Sequence, residues 1–205
     1  METLDQSAGA EASRSTIPEH SRLFVHSRPR PPADEVGELV AGLRESPRSI
    51  APKFFYDSRG AVLFDRITEQ PEYYPTRVER ALFRQYHRDI AAAVGPDRLL
   101  IEPGSGSSEK VELLLESLRP SAYVPLEITE SHLLHASRQL VERYPWLTVH
   151  AVCADYSEGL ELPAELPSGP RLLFFPGSTI GNFEPETAGR FLGYLRRACG
   201  DDGAL

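Results

Sequence analysis

The residues best placed for chemistry lie at the ends of short apolar runs. Leu99-Leu100-Ile101 stops at an acid, Glu102, and then at Pro103-Gly104-Ser105-Gly106-Ser107-Ser108-Glu109-Lys110. Glycines at such a turn let the backbone bend sharply and approach a ligand with no Cβ in the way. Glu109 stands where the last glycine of G-x-G-x-x-G would be, which counts against a NAD or FAD pyrophosphate on an open helix N-terminus. An acid before the turn suits a ligand with positive charge near the strand end, such as the sulfonium and amino group of S-adenosylmethionine. Glu127 closes a second run, about 20 residues after the glycine turn, and can accept hydrogen bonds from ribose hydroxyls. Asp155 closes a third, where an adenine amino group could be met, and Tyr156 could pack beside the ring. Each alone is equally a solvated acid or a plain loop. Together they favour an adenosyl ligand.

A fourth run ends at Phe175-Pro176-Gly177-Ser178-Thr179-Ile180-Gly181-Asn182-Phe183. Its glycines and small polar residues suggest backbone kept close to a ligand. Asn182 offers one acceptor and two donors, although an asparagine here is more commonly a turn or cap residue. Tyr56, Tyr73 and Tyr74 precede the sheet in polar, proline-punctuated segments. They could form a lid, with hydroxyls for a polar substrate and ring faces attractive to an ammonium. His132 and His135 have no acid or cysteine set beside them and read as surface residues, so no metal site is expected. Gly177-Ser178-Thr179 lacks the second glycine of a nucleophile elbow, because Ile180 occupies its place.

The elements that must carry these groups follow from periodicity. Strands are expected over 98–102, 122–128, 148–154 and 171–176. Helices are expected over 108–118, 131–143 and 185–199, each with an apolar face at i, i+3, i+4 spacing. Strands alternating with helices imply a parallel sheet with right-handed crossovers, helices on both faces and ligands at the carboxyl edge. Upstream, a helix begins at Asp34. A turn is expected at Ser58 to Gly60, then a short helix over 61–68 and a longer one over 77–94. Residues 1–33 read as a disordered tail and linker, 34–97 as an N-terminal helical segment contributing to the substrate site, and 98–205 as a partial Rossmann-like domain. Gly203-Ala204-Leu205 reads as the opening of another strand. The 171–176 strand would then be an apolar edge to pair with a missing segment or a partner, with later strands absent.

The net charge of −8 argues against a nucleic-acid binder, which would show a basic stripe. No apolar run is long enough to span a membrane, and the first residues lack the basic start and apolar core of a secretory signal. Two cysteines, Cys153 and Cys199, form neither a metal spacing nor a disulfide framework, and fit a reducing cytoplasm.

Several blocks together resemble one family, the histidine-specific, S-adenosylmethionine-dependent Nα-methyltransferases of ergothioneine biosynthesis. They are Lys53-Phe-Phe-Tyr-Asp-x-x-Gly60 with Leu63-Phe-Asp-x-Ile-Thr68, Pro71-Glu-Tyr-Tyr-Pro-Thr-Arg77, and Gly177-Ser-Thr-Ile-Gly-Asn182. Glu102-x-Gly-Ser-Gly-x-Ser-Glu-Lys110 joins them in the expected order. Pro103 and Glu127 depart from the pattern, in which an aliphatic residue and an aspartate are usual. The resemblance implies a Rossmann-like methyltransferase sheet, with Gly104, Lys110, Glu127, Asp155 and Tyr156 contacting the methyl donor. It implies that Tyr56, Tyr73 and Asn182 contact the amino acid, with Asn182 and Tyr56 orienting the amine. The cofactor implied is S-adenosylmethionine with no metal, and the substrate L-histidine. Another α-amino acid, or a non-catalytic donor-binding module, are the alternatives.

Overall fold

The computed structural model describes residues 22–27, 35–55, 58–156 and 159–205. Five parallel strands form one sheet: β1 (Leu23–Ser27), β2 (Leu99–Pro103), β3 (Ala122–Glu127), β4 (Val149–Cys153) and β5 (Arg171–Leu173), in the order β1-β4-β3-β2-β5. The helices are α1 (Glu35–Arg44), α2 (Ser58–Thr68), α3 (Tyr74–Val94), α4 (Glu109–Leu118), α5 (Glu130–Arg143) and α6 (Pro185–Cys199). The topology is a Rossmann-like α/β fold whose first described strand is β1 and whose glycine turn follows β2, an interior strand between β3 and β5.

Alternation along the strands divides the core between two faces. Leu99 and Ile101 of β2, with Val124, Val152 and Leu173, meet Phe191 and Leu195 of α6. Leu100, with Tyr123, Val149 and Leu172, meets Val111, Leu114, Leu115 and Leu118 of α4 and Leu140 of α5. These side chains are essentially inaccessible to solvent. Strands with apolar residues on both sides belong in a sheet covered on both faces. Outside α4, α3 adds Phe83, Ile90 and Val94 to the second cluster.

Four expectations need correction. The tail and linker over 1–33 contains a strand: Leu23 to Ser27 pair in parallel with Val149 to Cys153. The segment stands alone between a polar stretch and the proline-rich Arg28-Pro-Arg-Pro-Pro connector, and it exists as a strand by virtue of a partner 126 positions away. The turn expected at Ser58 to Gly60 is the first turn of α2. Pro75 begins α3 instead of preceding it, because a proline in the first helical turn has no N–H to miss. The fourth Rossmann strand ends its ladder at Leu173, three residues short of Pro176. Ala204 forms a parallel bridge with Leu172, as the strand reading of that segment expected.

Candidate active site

A cleft of about 1010 Å³ opens along the carboxyl edge of the sheet. One wall is the glycine turn. Gly104 and Gly106 adopt φ of 71° and 52°, and Ser108, at the cap of α4, lies at 59°. The tyrosine hydroxyl of Tyr156 rests against the Cα of Gly104, in the space a Cβ would fill. Gly104 therefore serves a close approach as well as a left-handed turn. The Gly104 and Ser105 amides both donate to the Leu126 carbonyl, tying the turn to the end of β3.

Glu127 comes off that strand into the same cleft. One carboxylate oxygen accepts the Gly106 N–H at 3.2 Å and the other accepts the Ile128 N–H at 2.8 Å. These bonds fix the carboxylate beside the glycine turn, at the place expected of a ribose-binding acid. Glu102 is buried beneath the turn and accepts a 2.5 Å hydrogen bond from the Tyr123 hydroxyl. Burial pushes its carboxyl up to about 8, against the Tyr123 bond and the Lys110 charge, which pull it down. Burial and the adjoining Glu102 carboxyl raise the Tyr123 phenol well above its ordinary value. Glu102 is thus a largely neutral acid at pH 7, which alters the expectation that it offers a formal charge to the ligand.

The other wall comes from α2, α3 and the segment after β5. Tyr73, Asn182 and Lys110 all line the cleft. Tyr73 lies at the cap of α3 and packs edge-on against Phe64 of α2, with ring centroids 6.1 Å apart. Its loop is held by a residue whose role the sequence did not reveal. The Arg77 guanidinium donates to the backbone carbonyls of Gln70 at 2.8 Å, Pro71 at 2.5 Å and Tyr73 at 3.4 Å. Arginine's planar fork suits such a cluster of acceptors. Asn182 ends a 3-10 turn, Thr179–Asn182, entered through Ser178 in a left-handed conformation.

Of the residues expected in the site, Gly104, Lys110, Glu127, Tyr156, Tyr73 and Asn182 border this one cleft. Asp155 follows β4 next to Tyr156 and is not among the lining residues. Tyr56 lies outside the described residues. His132, read as a surface residue, borders the cleft from α5, half-buried. Its i+5 spacing from Glu127 at a strand-to-helix turn was the available signal. Among the described residues, no group of three or more His, Cys, Asp or Glu side chains could hold a metal ion. The glycine cradle, the anchored Glu127 and the tyrosine over Gly104 fit an adenosyl donor.

The fold and this edge define a class, the S-adenosylmethionine-dependent methyltransferases. A solved structure of one from Leishmania major aligns with a TM-score of 0.55 at 18% identity, covering 82% of this chain and 64% of that one. The chain belongs to the histidine-specific, SAM-dependent methyltransferase family, whose sequence model matches residues 35–205. It is 42% identical over 163 residues to the histidine N-alpha-methyltransferase of Mycolicibacterium smegmatis, covering 77% of this chain and 50% of that protein. It is 27% identical over 163 residues to the 4-dimethylallyltryptophan N-methyltransferase of Claviceps purpurea, covering 76% and 47%. The chain spans about half the length of the curated relatives it matches.

Proposed function

We propose that this chain supplies the donor site and part of the acceptor site of an enzyme that methylates the α-amine of L-histidine. The observation that carries the reading is the single cleft bordered by Gly104, Lys110, Glu127 and Tyr156 together with Tyr73 and Asn182. Histidine is preferred to other α-amino acids because the 42% identity is to a histidine enzyme, well above the 27% to a tryptophan-derivative one. The methylated product would then enter ergothioneine biosynthesis, as the resemblance implies. Residues 34–97 act as the substrate-side segment, and the edge of β5 beside Ala204 takes a further strand or a partner. Two free cysteines suit a reducing cytoplasm; no helix among the described residues is long and apolar enough to cross a membrane.

S-adenosylmethionine, held by the glycine turn, Lys110 and Glu127, supplies an electrophilic methyl group. Asn182 and Tyr56 orient the α-amine toward it, and Tyr73 closes over the substrate. The amine must be neutral to attack, and an α-amine with a pKa of about 8 needs only a modest shift. Alignment is then the protein's main contribution, and positioning alone can supply roughly 7–11 kcal/mol of a barrier. Aromatic faces from Tyr73 and Phe64 suit an ammonium that gains methyl groups. Calorimetric titration with S-adenosylhomocysteine, then with histidine on the saturated protein, tests the reading. Binding of both is expected. Binding of the first alone would remove the acceptor half of the proposal, and binding of neither would remove it altogether.

A further inference from the structure

Behind the lysine of the cleft stands an acid that no motif singled out. Glu79 lies on the second turn of α3 and does not itself border the cleft. One carboxylate oxygen lies 2.6 Å from Lys110 Nζ, and the other accepts the Gly177 N–H at 2.7 Å. Three segments distant in sequence therefore meet on one carboxylate: α3, the first turn of α4, and the chain leaving β5 toward Asn182. The side chains of Glu79 and Lys110 are 24% and 25% exposed, so the pair is shielded far better than an ordinary surface ion pair.

Gly177 shows how tight the junction is. Its φ is +90°, and a Cβ there would sit 2.7 Å from Lys110 Nζ. The ammonium thus lies against bare backbone, held from one side by the carboxylate. One residue further along α3, Arg80 forms an ion pair with Glu109. Consecutive residues of opposite charge on α3 meet consecutive residues of opposite charge on α4, which sets the register of the two helices.

We propose that Glu79 is a positioning residue that fixes Lys110 for the donor and the Gly177–Asn182 segment for the acceptor. The inference rests on the reading of the cleft as a donor site. An ammonium has three N–H donors, so the bond to Glu79 leaves capacity for the carboxylate of the donor's amino-acid part. A lysine side chain has substantial rotamer entropy to lose, and a fixed carboxylate takes up that loss before the ligand arrives. The Gly177 N–H has its acceptor in Glu79, so the start of the Asn182 segment is tethered to the same point. Removal of the carboxylate loosens both walls at once.

A double-mutant cycle read by calorimetry with S-adenosylhomocysteine separates this role from simple support of the fold. The ligand is a net-neutral zwitterion, so loss of one carboxylate has little direct charge effect on it. In the wild-type background, Glu79→Gln should raise the dissociation constant about tenfold, equivalent to about 1.4 kcal/mol. In a Lys110→Met background the same change should raise it no further. Glu79→Asp keeps the charge but is a methylene too short to reach both partners, and should lose donor affinity like Glu79→Gln. An equal loss in both backgrounds would reduce Glu79 to a structural residue, and no loss in the wild-type background would overturn the proposal. If the wild-type protein bound no S-adenosylhomocysteine, the donor-site reading would fail and this inference with it.

Discussion

The sheet and the helices that precede it solve the burial problem in opposite ways. In the sheet and the α6 helix against it, Leu99, Ile101, Val124 and Phe191 are fully buried, and the interior strands β2 and β3 are packed from both sides. In α1, α2 and α3, Val36, Val62 and Leu82 are 73%, 54% and 49% exposed, with Leu63, Ile67 and Val78 similarly uncovered. Both regions have amphipathic sequences, but among the described residues these helices leave many large apolar side chains uncovered, even though α3 also sends Phe83, Ile90 and Val94 to the core. The residues proposed to hold the donor stand on the first kind of structure, and Tyr73 and Arg77 on the second. Precise donor binding needs a rigid support, whereas a substrate wall can be assembled from helices held mainly by polar ties. Glu79, Arg80 and Arg77 are those ties.

The largest effect that would sharpen this contrast is on the sheet. Phe191→Ala should cost about 3–5 kcal/mol of unfolding free energy in denaturant titration, since it empties a closed core. Next is the acid beneath the glycine turn. The folded Glu102 carboxyl, raised from 4.5 to about 8, keeps its proton while the unfolded one releases it. Its favourable contribution is therefore complete below pH 4.5 and lost as pH rises toward 8. Glu102→Gln should then gain stability relative to wild type from pH 5 to 8, by roughly 3 kcal/mol in paired melts. A flat difference would mean that the carboxyl is already ionised.

On the site itself, Gly104→Ala should weaken S-adenosylhomocysteine about 100-fold, equal to roughly 2.7 kcal/mol, because the new methyl group meets the Tyr156 hydroxyl at a positive φ. Asn182→Ala should leave that affinity within about threefold while abolishing most methyl transfer. Equal losses in donor binding from the two changes would merge the walls that the comparison separates. Arg77→Lys replaces a three-carbonyl fork with a point charge, and should raise the histidine KM about tenfold with donor affinity unchanged. The smallest effect belongs to Leu82→Ala on α3, within about 0.5 kcal/mol in the same denaturant titration. A cost like that of Phe191→Ala would show α3 to be as tightly covered as the sheet.

What could be read from the sequence followed the same division. Strands β2 to β5 and helices α4 to α6 each declare themselves by a local period, and their ends fall within a few residues of expectation. The glycine turn, Glu127 and Tyr156 were legible because strand ends share an edge by topology alone. Glu79 was not, because an acid on an amphipathic helix is ordinarily solvated; its partners are 31 and 98 positions away. Arg77 stood inside a recognised motif, yet only the folded loop shows its three carbonyl partners. Asp155 illustrates the converse: a correct strand end does not guarantee that a side chain reaches the cleft.

The pairing of β1 with β4 has a consequence in time. Leu23 lies opposite Val149, and the His26 and His150 rings stack at that seam with nitrogens 3.1 Å apart. A ribosome adding about 5–20 residues per second needs roughly 6–25 s to make the intervening chain. During that interval β1 has been made but has no partner to pair with. This edge strand is the earliest synthesised of the described strands and among the last to be seated.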